Sequence, residues 1–167
     1  MANPLPNEKE LYERIKSENI SVHPLVWDTM YHYLGDYISA ISFISLLYIE
    51  KNEPMTIADG KRIIEYTRKI IDVVGKILHP ERINADGKSL EQIKAENMKL
   101  HPLIHDFFTH YIPNDTNCIN FRVSYYLDPI DENPIPLEEV RKILDYTASM
   151  RNFLDRLREA TNKGKGF

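Results

Sequence analysis

The 167-residue chain carries 21 Lys and Arg against 25 Asp and Glu, one cysteine, and 43% hydrophobic residues. That length suits one domain, or two small halves sharing a core, and a net charge of −4 offers no basic surplus for nucleic acid. The lone Cys118 excludes an intramolecular disulfide framework, and the longest apolar run, Tyr37–Ile49, spans 13 residues where a membrane helix needs about 20.

Residues 1–9 read as an N-terminal tail without a secretory pattern, which fits a soluble, cytoplasmic protein with neither membrane nor nucleic-acid partner. Glu8–Glu18 is charged and helix-prone. His23-Pro24 then reads as a helix start, because proline suits the first helical position. Gly35-Asp36 predicts a kink or stop about ten residues later. From Tyr37, the residues Ala40, Ile41, Ile44, Leu47 and Tyr48 keep the three-to-four spacing of a buried helix, with a β-hairpin as the rival over residues 37–50. Thr56 followed by Asp59 resembles a capping box and predicts a helix running to about Leu78. Residues 81–87 form a linker.

The second half repeats this order. Lys88–Glu96 is helix-prone, and His101-Pro102 starts a helix. Pro113-Asn114-Asp115 marks the break. Residues 115–128 are ambiguous again, since Ile119–Tyr125 alternates as a strand does. Leu137, Val140, Leu144, Thr147, Met150, Leu154 and Leu157 make one helical face, and residues 161–167 read as a flexible tail.

The resemblance between the halves is literal. Sliding the chain by 78 residues sets Tyr12–Tyr33 on Leu90–Tyr111 with eleven of 22 positions identical, where chance gives roughly one or two. A shift of 80 then pairs Pro54, Ile63, Tyr66 and Thr67 with Pro134, Ile143, Tyr146 and Thr147. The expected fold is therefore an all-α, internally duplicated helical bundle. Units 10–80 and 88–160, of three to four helices each, would share one core about a pseudo-two-fold axis.

The paired polar signal is Asp28-x3-His32 with its twin Asp106-x3-His110. Residues four apart share a helix face, and Asp and His are ordinary ligands for Zn or Fe. Were the two helices to face each other, the four side chains would converge on one transition metal, with Glu65, Asp145, Tyr66 and Tyr146 as further ligands or supports. Without a metal, the same pairs are solvated helix faces. His23 and His101 read as boundary punctuation, as does His79-Pro80. His105-Asp106 resembles the adjacent His-Asp pair of HD-type phosphohydrolases, although its counterpart is Trp27-Asp28. The aromatic residues serve as core filling first, and as a ligand or partner surface second.

No catalytic residue or defined cofactor site emerges, and whether the chain is an enzyme stays open. Two functions are expected. One is a non-enzymatic helical module for interaction, regulation or ligand sensing, with a protein partner, self-association as a homodimer, or a small ligand. The other is a metal-binding helical protein using the pseudosymmetric Asp/His set.

Overall fold

The computed structural model describes residues 8–82 and 100–164, and it is all-helical apart from one two-residue strand pair and an isolated bridge. The helices are α1 (Glu8–Ser17), α2 (Pro24–Asp28), α3 (Leu34–Lys51), α4 (Ile57–Leu78), α5 (Pro102–Tyr126) and α6 (Leu137–Ala160). The short strands are β1 (Ser21–Val22) and β2 (Asn162–Lys163). The expected helix Lys88–Glu96 and most of the linker fall outside the described residues. Among those described, no helix is long and apolar enough to cross a membrane.

Residues 37–50 and 115–126 are helical, so the hairpin alternative is excluded. Of the predicted kink or full stop before each, the full stop does not form. In the first half α2 continues through a π-helical turn, Thr29–Tyr33, into α3, with right-handed helical dihedrals retained at Asp28, Thr29, Tyr33 and Leu34. Gly35 costs about 1 kcal/mol against alanine in such a position. Leu34, Ile38 and Ile41 are wholly buried and outweigh it, since burying one such side chain is worth about 1.5–3 kcal/mol. In the second half Pro113 lies inside α5. Its ring removes one backbone donor, but Ile112, Thr116 and Ile119 around it are fully buried and hold the helix in place.

The four long helices form a ring. α3 packs on α4 and α6, and α5 packs on the same two, so α3 and α5 occupy opposite corners. Ile38, Ile41, Ile63, Ile70, Phe107, Phe108, Ile119 and Leu157 belong to the core between them. α1 closes one side, burying Leu11 and Ile15 and passing the Tyr12 hydroxyl to the Phe153 carbonyl at 3.1 Å.

Several contacts fall on positions matched by the sequence shift. Met55 and Ile135, 80 residues apart, form an antiparallel bridge with both amides donating across it at 2.9 Å. Thr67 and Thr147 are both buried, and each donates its hydroxyl to the carbonyl three residues back at 2.7 Å. Burial along residues 51–60 follows that along 131–140 position for position.

The tail departs from expectation. Residues 161–164 are not frayed: Thr161 is buried, and β2 pairs in parallel with β1 through Asn162 N–H to Ile20 O, 2.9 Å, and Gly164 N–H to Val22 O, 2.6 Å. A Cβ at Gly164 would stand 2.9 Å from that Val22 oxygen, so only glycine allows the approach.

Candidate functional site

The four Asp and His residues do not converge. Asp28, 54% exposed, accepts from Lys163 Nζ at 3.2 Å, and His32, 70% exposed, lies 3.8 Å from Asp36. Asp106 and His110 are likewise exposed on α5. The reason is on the helices themselves. Val26, Met30 and Leu34 in the first half, and Ile104, Phe107 and Phe108 in the second, are fully buried and claim the core face. The intervening Asp and His positions therefore turn to solvent. Among the described residues no group of three or more His, Cys, Asp or Glu is placed to hold a metal ion. Glu65 and Asp145 are exposed as well. Tyr66 instead stacks beside Tyr37 under Lys69, and Tyr146 lies under Arg122.

The His-Pro pairs do more than mark boundaries. His23 Nδ1 accepts the Leu25 amide at 3.1 Å, and His101 Nδ1 accepts the Leu103 amide at 3.2 Å, so each ring caps its own helix. An accepting Nδ1 leaves Nε2 as the donor, and His101 Nε2 meets Glu18 Oε2 at 2.8 Å. That contact ties the end of α1 to the start of α5. Histidine is not a favoured cap, but the repeated His-Pro-Leu was the available signal. His105 is exposed, with Nδ1 3.4 Å from the Thr109 hydroxyl, and Cys118 is a half-buried free thiol.

At the start of each second helix sits an acid. Thr56 caps α4 by accepting the Asp59 amide at 3.3 Å, but the Asp59 carboxylate does not complete a capping box. It accepts from Tyr48 and, at 3.1 Å, from Arg62. The matched Glu139 accepts from Arg122 at 2.8 Å and Lys142 at 3.5 Å. Burial alone would raise the Glu139 carboxyl; the two cations outweigh it and hold it below its usual range. Asp115 is the opposite case. One of its oxygens is buried with no partner among the described residues, and burial raises its carboxyl.

A cleft of about 80 Å³ opens between α3 and α6, lined by Tyr31, Gly35, Ile38, Arg151, Asp155 and Arg158 among others. A wider one, about 440 Å³, lies between the π turn and α4, with Asp28, Tyr33, Tyr37 and Lys76 on its walls.

The aromatic residues divide. Phe107 and Phe108 are fully buried and Tyr48 nearly so, as core filling requires. Phe43, Phe121 and Tyr125 are not: they are 66%, 75% and 71% exposed. Phe43 and Phe121 are matched by the 78-residue shift, as are Leu47 and Tyr125, and all four face outward on α3 and α5.

Comparison of the chain with protein-family models, with curated proteins and with solved structures finds no match. What these residues define by themselves is an all-α bundle with two outward apolar helix faces.

Proposed function

We propose that the chain is a non-enzymatic helical interaction module, built from two copies of one unit packed about a pseudo-two-fold axis. The duplication is supported by the eleven identities at one offset, the Met55–Ile135 bridge and the reciprocal packing of α3 on α6 and α5 on α4. The observation that carries the interaction reading is the pair of exposed apolar faces at matched positions, Phe43 with Leu47 and Phe121 with Tyr125. Single exposed apolar residues need no explanation, but two matched pairs spaced by four along the outside of a bundle mark surfaces made to be covered. No metal or catalytic reading has a comparable geometric observation behind it.

The test is a photo-reactive phenylalanine analogue placed at position 43 or 121 in the expressed chain, with exposed Arg68 on α4 as the control position. Adducts to protein at 43 or 121 and not at 68 are expected. Equal labelling at all three positions, or none, would remove the reading.

A further inference from the structure

We infer that the cleft between α3 and α6 is a binding site for the carboxylate of a small organic acid. The site is independent of the interaction reading, because none of the outward residues Phe43, Leu47, Phe121 and Tyr125 lines it.

The shape of the cleft points to a small ligand. Gly35 lines it from inside α3, where glycine is a poor helix former. At Gly60, Gly75 and Gly164 a Cβ would stand 2.6, 2.7 and 2.9 Å from a neighbouring atom, so close approach accounts for each of those glycines. A Cβ at Gly35 would meet nothing within 4 Å. Packing therefore does not require a glycine here, and its effect is to keep the cleft open. The volume is about 80 Å³, room for about five or six water-sized groups. That suits a short-chain acid and is too small for a nucleotide.

The charges on the walls select the ligand's chemistry. Arg151 and Arg158, seven residues apart on α6, stand exposed at the rim on one helix face. Arg158 lies over the Tyr31 ring, 5.7 Å from its centre, a contact that uses the π face of the ring. The Tyr31 hydroxyl is engaged elsewhere. Thr161 donates its own proton to the Leu157 carbonyl at 2.8 Å, so across their 3.3 Å contact Tyr31 donates to Thr161. Neither arginine has an ion pair or hydrogen bond to a described residue, and Asp155 between them pairs with neither. A guanidinium with unmet N–H donors matches a carboxylate in geometry and in charge.

Asp155 decides between anions. Two cations and one carboxylate leave a single positive charge, which a monocarboxylate neutralises, whereas a doubly charged phosphate would be repelled by Asp155. Ile38 and Leu154, both buried, line the same cleft and offer an apolar wall to a short alkyl chain.

The matched groove shows that packing does not ask for these charges. Where α6 has Arg151, Asp155 and Arg158, α4 has Ile71, Gly75 and Leu78, and Pro113 replaces Gly35. The Arg82 guanidinium does enter beside Gly75, but it is paired with Asp72 at 3.4 Å.

Butyrate is the probe, titrated into the full chain at constant ionic strength so that screening does not change. Saturation-transfer NMR reads binding. Fluorescence of Trp27, the single tryptophan, reads its place, since the Trp27 and Tyr31 ring centres are 4.6 Å apart. Saturable binding with a Kd of about 1 mM is expected for a ligand of this size. Butylamine, with the same chain and the opposite charge, should not bind. Arg151→Gln and Arg158→Gln should each weaken butyrate binding by about tenfold, as loss of a charge-assisted hydrogen bond does. Gly35→Leu should abolish binding without lowering the melting temperature, because it puts a side chain into open space and removes a glycine from a helix. No saturable butyrate binding, or binding that survives all three variants with circular dichroism showing them folded, would overturn the site. Equal binding of butylamine would overturn the role of charge. Inorganic phosphate binding more tightly than butyrate, and lost in the same variants, would overturn the choice of a carboxylate.

Discussion

The groove between α3 and α6 and the groove between α5 and α4 occupy matched places in the bundle, yet their rims differ. The first carries Tyr31, Gly35, Arg151 and Arg158, with Arg158 stacked 5.7 Å from the Tyr31 ring centre. The matched positions of the second hold Thr109, Pro113, Ile71 and Leu78. Beneath these rims the layers are alike: Ile70 and Met150, Ile77 and Leu157 are all buried. Packing is therefore fixed by a few apolar positions per helix, and the rim is free to change chemistry without changing the fold. Gly75 shows how far that freedom goes. A Cβ there would meet the Arg82 guanidinium at 2.7 Å, so the glycine leaves room for a side chain that reaches Asp72 at 3.4 Å.

The strongest way to break the comparison is to separate the halves. A chain ending at Arg82 keeps α3 and α4 but loses both α5 and α6, on which they pack. It should be unfolded, or should dimerise to replace the missing half, as circular dichroism and sedimentation would reveal. A cooperatively melting monomer would mean that the halves are independent.

A smaller effect comes from exchanging matched residues. Gly60 stands where the second half has Val140, and a Cβ at Gly60 would meet Ile135 Cδ1 at 2.6 Å. Gly60→Val should cost about 1–3 kcal/mol by overpacking, measured in urea. Val140→Ala should cost about 1 kcal/mol, through a cavity instead.

The two capping histidines come next. His23→Ala should cost about 1 kcal/mol, the usual value of a lost cap. His101→Ala should cost more, because it also frees Glu18. Adding Glu18→Ala to it should then change little, a double-mutant cycle that isolates the contact.

The smallest effects are electrostatic, and they run in opposite directions. Burial raises the Asp115 carboxyl in the folded chain, so the native state binds the proton more tightly and this group's contribution to stability falls as pH rises. Asp115→Asn should stabilise at neutral pH, with the gain disappearing in acid. Glu139 is held low, so its contribution is present at neutral pH and lost as pH falls below the ordinary carboxylate range. Glu139→Gln should destabilise at neutral pH and converge with the parent in acid. Thermal melts across that range would resolve both.

Much of the helical layout was legible in the chain. Comparing the halves resolved residues 115–128, which look like a strand in isolation, because the counterpart at 37–50 has helical spacing. The end of α4 at Leu78 and the Thr56 cap were also readable. Helix continuity was not, because Gly35 and Pro113 are local breakers and the burial that overrides them is tertiary. A π turn inserts a residue that a regular 3.6 period does not anticipate. The outward aim of Asp28, His32, Asp106 and His110 could have been found. Val26, Met30, Ile104 and Phe108 interleave with them on the same helices, and apolar residues claim the core first. What spacing alone did not provide was the ring order that sets α3 and α5 apart.

The ring order also has a consequence during synthesis. α3 ends at Lys51, yet α6, one of its two neighbours, begins only at Leu137, and the strand that clasps β1 arrives at Asn162. At roughly 5–20 residues per second, a nascent chain waits on the order of ten seconds between finishing α3 and supplying its second neighbour. For that interval Ile38 and Ile41 are incompletely covered on the ribosome, and the clasp between β1 and β2 can close only once synthesis has passed Gly164.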